Sequence, residues 1–166
     1  MGRYRPPAPK PSAYITGEGF EQLQNELNAI WKHRADVTRA LSAAAAEGDR
    51  SENAEYIYRK KELREIDRRI RYLQKRLPDL KVVDAIPTNP HQVFFGAWVT
   101  LEDENGQENC YRIVGPDELD PQKGWISMDA PMARALMKKS IDDEVRVRIG
   151  DSENGYIIVN ISYSPP

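Results

Sequence analysis

Two carboxylates flank a short polar run, Gly48-Asp49-Arg50-Ser51-Glu52-Asn53. At this spacing they have two possible uses. Asp49 can cap a helix, with Glu52 three residues on as its capping-box partner, and both acids suit the positive end of a helix dipole. They are also hard oxygen donors of the kind Mg²⁺ takes, in an octahedral shell that usually includes only one or two protein carboxylates. Two exposed acids cannot close such a shell. They can complete one already begun by another macromolecule and a phosphate, which argues against a free-standing nuclease. A carboxylate can cap a helix and later meet a metal, so both readings stand at this point.

The second group able to do chemistry is cationic. Between Arg59 and Arg76 there are nine basic residues and three acids, a net charge of +6 inside a chain whose overall formal charge is −2. Lys61, Arg64, Arg68, Arg71 and Lys75 step by three and four, which lines them along one helix face. A solubilising face normally mixes signs; a nearly one-signed stripe suits a nucleic-acid backbone. Tyr58 can stack on a base, whereas Tyr56 has the spacing of a packing residue. The rest of the inventory is sparse. A single cysteine, Cys110, makes no internal disulfide and reads as strand packing. His33 reads as a surface helix residue. With His91 far away in sequence, no zinc cluster assembles without carboxylates.

Long helices must position these groups. Phe20, Leu23, Leu27, Ile30, Arg34, Val37, Leu41 and Ala44 alternate steps of three and four, and so do Tyr56, Arg59, Leu63, Ile66, Ile70, Leu73, Leu77 and Leu80. That is a coiled-coil seam, interrupted only by Arg34 and Arg59. Thr16 offers an N-cap for the first helix, and Gly48 breaks it. So short a connection forces the two helices antiparallel, as a hairpin whose first arm, Phe20 to Glu47, spans about 42 Å at 1.5 Å per residue. Pro78 predicts a distorted last turn.

From Val82 the apolar period changes to two. Strands are predicted over 93–102, 111–114, 125–128, 145–149 and 156–163, with turns at Asn105-Gly106 and Asn154-Gly155. Pro131 to Lys139 reads as one short helix. The first 13 residues, with Pro6, Pro7, Pro9 and Pro11, read as a flexible tail. No run of 18 uncharged apolar residues occurs and no signal-peptide pattern opens the chain, so the expectation is a protein with no membrane segment.

The motifs carry a resemblance. Gly48-Asp49-Arg50-Ser51-Glu52-Asn53-Ala54-Glu55-Tyr56 is similar to the tip of bacterial Gre-type transcript cleavage factors. The run from Lys60 to Leu73 resembles their second helix, and Val93 to Val99 and Pro131 to Leu136 resemble their C-terminal domain. Likeness extends over roughly residues 14–163. It implies an α+β protein in three parts: a tail over 1–13, a coiled-coil hairpin over 14–80 with its tip at 48–53, and an FKBP-like domain over 81–166, an antiparallel sheet with one short helix.

It also implies a function. The factor is expected to act as a cytoplasmic monomer, with RNA polymerase and the nascent RNA 3′ end as partners, entering the secondary channel of backtracked complexes. Asp49 and Glu52 would share an Mg²⁺ ion with the polymerase active site, with no metal held by the factor alone and no enzyme activity of its own. Arg50, Ser51 and Asn53 would shape the tip. Arg59, Lys60, Lys61, Arg64, Arg68 and Arg71 would hold RNA, and Pro131, Met132 and Arg134 would dock the polymerase. Glu62, Arg76 and the proline-rich tail depart from the family pattern. Two other readings remain open: a channel-binding module that inhibits without cleavage, and a peptidyl-prolyl isomerase, the latter on fold analogy alone.

Overall fold

The computed structural model describes residues 2, 4–48 and 53–166, so Asp49, Arg50, Ser51 and Glu52 lie outside the described residues. The chain divides into a helical unit, Glu18–Leu80, and a sheet unit, Met1–Gly17 with Lys81–Pro166.

The helical unit is an antiparallel pair. Helix α1 spans Gly17–Ala46 and α2 spans Ala54–Arg76. All sixteen seam positions predicted from the heptad steps are buried or half-buried, while most residues between them are exposed. Val37, Ile66 and Ile70 form the centre of the contact, with Leu27, Ile30 and Leu63 packed around them. Side chains pair across the helices with Glu26 on Arg69, His33 on Glu62 and Arg34 on Asp67. At the far end Asn53 Nδ2 donates to the Ala44 carbonyl at 2.7 Å. Low numbers on α1 thus meet high numbers on α2, as an antiparallel hairpin requires. Gly48, at φ 144°, adopts a backbone conformation that few other residues tolerate, just beyond the end of α1. At the other end α2 gives way to a 3₁₀ turn over Leu77–Asp79 that contains Pro78.

The sheet unit is built on five strands: β3 (Trp98–Asp103), β4 (Glu108–Val114), β5 (Trp125–Ser127), β6 (Glu144–Ile149) and β7 (Ser152–Ser162), in the order β5-β4-β3-β7-β6. A separate parallel pair joins β1 (Tyr14–Ile15) to β2 (Lys81–Val82). The larger sheet is not wholly antiparallel as expected: β4 and β5 run parallel, because the connection over 115–124 carries the chain back alongside Arg112 before β5 begins. Alternate residues face the core: Val99 and Leu101 on β3 and Val145 and Val147 on β6 are buried between more exposed neighbours. Helix α3 (Pro131–Leu136) closes that core with Ala133 and Leu136, both fully buried.

Several boundaries differ from the sequence reading, each for a local reason. Residues 14–17 belong to the sheet unit rather than to the hairpin, because β1 pairs with β2, and Thr16 bonds Glu118 through its backbone N–H and its hydroxyl at 2.9 and 2.6 Å. The strand expected from residue 93 begins at Trp98, since the chain turns at Gly96 with φ 87°. The turn expected at Asn154-Gly155 lies instead at Gly150-Asp151, where Gly150 has φ 61°, while Asn154 and Gly155 pair with Val147 and Arg146 inside the β6–β7 ladder. Helix α3 stops at Leu136 because Lys138 turns to φ 65°. Cys110 is exposed on β4, not packed. Within the tail, Ser12 is held: its backbone N–H donates to Asp129 Oδ2 at 2.9 Å and its hydroxyl donates to Oδ1.

Tyr163 is the most informative latch in this unit. Its hydroxyl donates to the Gln92 carbonyl and accepts from the Phe94 N–H at 2.9 Å. Burial raises the phenol's pKa above its ordinary value, partly offset by the Phe94 hydrogen bond. With the folded pKa raised, this contribution to stability is complete below about pH 10 and is lost as pH rises through the folded value. Tyr163→Phe should cost about 1–3 kcal/mol at neutral pH in urea unfolding, since it strands two backbone groups. Its deficit relative to the parent should narrow above about pH 10.

Candidate nucleic-acid interface

The sequence of α2 produces a surface in two electrostatic halves. Arg59 and Arg69 on α2, and Arg34 facing them from α1, are neutralised within the hairpin. Arg69 makes a two-point contact with Glu26 at 2.7 and 2.9 Å, and Arg34 Nε reaches Asp67 at 2.7 Å. Arg59 holds Glu55 at 2.8 Å and Glu62 at 3.0 Å. The hydrogen bonds these guanidinium groups donate to the acids raise the pKa values of Arg34 and Arg59 further, so both stay charged at any working pH. The two charged interruptions of the apolar seam are thereby explained: Arg34 is half-buried beside Asp67, and Arg59 beside Glu55 and Glu62.

The stripe residues behave differently. Lys61, Arg64, Arg68, Arg71 and Lys75 are all exposed, and none has an ion-pair partner among the described residues. Their positive field is not cancelled locally and remains available to an anionic partner. Arg59, which sequence reasoning grouped with them, is engaged by its two glutamates and also lies 5.5 Å from the ring of Tyr58. Lys60 is exposed and sits 5.7 Å from the Tyr56 ring. Tyr58 is 60% exposed, the accessibility a stacking residue needs, whereas Tyr56 is half-buried on the seam.

The start of α2 corrects one assignment. Its N-cap is Asn53, whose Oδ1 accepts from the Tyr56 N–H at 3.1 Å. The cap that local spacing offered to Asp49 is therefore taken four residues later. Asn53 also bonds the Ala44 carbonyl, so one amide fastens both helices where the loop leaves them. Asp49, Arg50, Ser51 and Glu52 themselves lie outside the described residues. Among the described residues, no three His, Cys, Asp or Glu side chains cluster in a way that holds a metal ion.

Sequence reasoning missed one residue at this surface. Trp31 on α1 is 46% exposed and lines an open groove of about 560 Å³ together with Arg64, Arg68 and Arg71. The signal was available: Trp31 stands one residue past the seam position Ile30, so the heptad does not bury it.

In the sheet unit, Pro131 is the first residue of α3 and is exposed, as is Arg134. Met132 is half-buried and packs against the core. Nearby, Asp129 accepts from Ser12 and its own N–H donates to Ser127 Oγ at 3.1 Å. On the same unit Arg112 stacks between Trp98, 4.0 Å away, and Trp125, 4.8 Å away.

A helical hairpin bearing a cationic face with no ion-pair partners among the described residues, followed by a small mixed sheet, defines a two-unit protein whose candidate site is a surface track. Sequence comparison refines that class. The family model described as "Transcription elongation factor, N-terminal" matches residues 13–82, and the one described as "Transcription elongation factor, GreA/GreB, C-term" matches residues 87–163. Transcription elongation factor GreB of Xanthomonas axonopodis pv. citri is 56% identical over 166 residues, covering 99% of both chains. The GreB of Pseudomonas aeruginosa gives the same identity and coverage. Among solved structures, a GreA/GreB elongation factor from Nitrosomonas europaea aligns over 92% of this chain and 100% of its own, at 23% identity and a TM-score of 0.42. The chain belongs to the GreA/GreB family of transcription elongation factors.

Proposed function

We propose that this protein stimulates cleavage of the RNA 3′ end by RNA polymerase in backtracked, arrested complexes, and that it has no nuclease activity alone. The observation that carries the reading is the stripe Lys61, Arg64, Arg68, Arg71 and Lys75, without ion-pair partners among the described residues, on α2, the helix that starts directly after the acidic tip. A row of uncompensated cations at helical spacing fits the phosphates of a single strand. Family membership supports the same partner, RNA polymerase, and with it a cytoplasmic setting. No helix among the described residues is long and apolar enough to cross a membrane.

Asp49 and Glu52 then act as a delivered half-site. Their donor set fits Mg²⁺, a hard cation that accepts carboxylate oxygens, but two carboxylates fill only part of its shell. The ion, shared with the polymerase, supplies charge stabilisation to the attacking and leaving oxygens of phosphodiester hydrolysis. What this chain contributes is two negative oxygen donors, a stiff α1 of 30 residues, about 45 Å long, and a cationic surface that orients the strand. Asn53 keeps the two helices together beside the tip.

The test uses purified bacterial RNA polymerase stalled in a backtracked complex on labelled RNA, with and without the full chain. Release of short 3′ fragments followed by renewed elongation is expected, with no cleavage of RNA when polymerase is omitted. Slowed synthesis without any 3′ fragments would sink this reading in favour of an inhibitory channel occupant.

A further inference from the structure

We infer that the groove at Trp31 is a base-stacking subsite for the extruded single-stranded RNA, an inference that rests on the function proposed above and assigns it a specific contact. Trp31 lies on α1 and Arg64, Arg68 and Arg71 lie on α2, yet all four line one groove. Trp31 is 46% exposed on a helix whose seam residues are buried or half-buried. Arg34 lies 5.9 Å from the ring centre, but its charge is already bound to Asp67 at 2.7 Å. The cations left for a ligand are therefore the three stripe arginines, none of which has an ion-pair partner among the described residues.

The chemistry of the occupant follows from this combination. It must be polyanionic, to satisfy three arginines in steps of four and three, and it must offer a flat face to an indole. A single strand meets both conditions, with its phosphates on the arginines and an unstacked base on the ring. An acidic peptide offers a flat face only where an aromatic residue happens to fall, whereas every nucleotide carries one beside its phosphate, and a duplex keeps its bases stacked inside. Trp31 lies fifteen residues before the end of α1 at Ala46, about 22 Å along the axis. Only RNA extruded far enough to cover that distance reaches the subsite.

The experiment compares backtracked polymerase complexes with short and long RNA extrusions, titrated with full-length parent, Trp31→Ala and Trp31→Phe proteins. Far-ultraviolet circular dichroism verifies that each variant is folded. For the long extrusion, Trp31→Ala should raise the protein concentration for half-maximal cleavage roughly tenfold, the size of one lost base–aromatic stack, and Trp31→Phe should restore most of it. For the short extrusion all three proteins should match. A parallel arm needs no substitution: the long RNA is made with abasic residues in the extruded segment. The parent protein should then lose the same roughly tenfold, and Trp31→Ala should lose nothing more. Equal behaviour of intact and abasic RNA with the parent protein overturns the subsite, even if Trp31→Ala fails to fold. A Trp31→Ala defect that persists on abasic RNA also overturns it, because the ring would then be serving a protein contact. Both results presuppose cleavage by the parent protein; its complete absence would instead defeat the function proposed above.

Discussion

Asp49→Asn combined with Glu52→Gln should lower stimulated RNA cleavage about a hundredfold while leaving the thermal unfolding midpoint of the chain unchanged. The size follows from what the acids supply. Support of a catalytic metal ion stabilises a transition state by several kcal/mol, and each 1.36 kcal/mol is tenfold in rate. Both substitutions keep side-chain shape and remove only negative charge. The stability half of the prediction comes from the structure, because α2 is capped by Asn53 and not by Asp49. Cleavage at the parent rate by a folded double variant would show that the tip carboxylates do not reach the metal. A loss of cleavage accompanied by a lower midpoint would instead return the acids to a capping role.

Replacing Arg64, Arg68 and Arg71 together by alanine should weaken functional binding to backtracked complexes roughly a hundredfold at moderate salt, and should flatten its salt dependence. Each phosphate contact on a single strand contributes about 0.7 to the slope of log affinity against log salt, so three contacts account for about 2. The half-maximal protein concentration for cleavage, measured from low to high KCl, reads both quantities. Arg69→Ala provides the contrast. That guanidinium is spent on Glu26 at 2.7 and 2.9 Å, so its loss should leave the slope untouched. An unchanged slope in the triple variant, or an equal change in Arg69→Ala, would mean that the exposed stripe is a solvated face without a nucleic-acid role.

The tip pair is visible in sequence because its residue types and three-residue spacing are local. The stripe is only half visible. Helical spacing places Lys61, Arg64, Arg68, Arg71 and Lys75 on one face, but spacing does not say that Arg59 is engaged by Glu55 and Glu62 or that Arg69 is engaged by Glu26. An i to i+4 pair such as Glu55–Arg59 can be suspected from sequence. A pair forty-three residues apart, Glu26–Arg69, depends on the register in which the two helices meet.

The same division runs through the whole molecule. Sequence alone determined the hairpin, since heptad steps report which residues a helix must bury wherever its partner lies, and every seam position is covered in the structure. It also determined the β3–β4 hairpin at Asn105-Gly106, where Asp103 Oδ1 accepts from the Asn105 and Gln107 N–H groups at 2.9 Å. Tertiary structure alone decided that Asn154-Gly155 lies in a ladder and not in a turn, because the pairing of β6 with β7 places the reversal at Gly150. It alone gave Tyr14 and Ile15 to a parallel pairing with Lys81 and Val82, across sixty-seven residues of chain. And it alone placed Trp31 beside Arg64, Arg68 and Arg71. Periodicity fixes which face of an element is buried; only the register between elements fixes which exposed residues become neighbours.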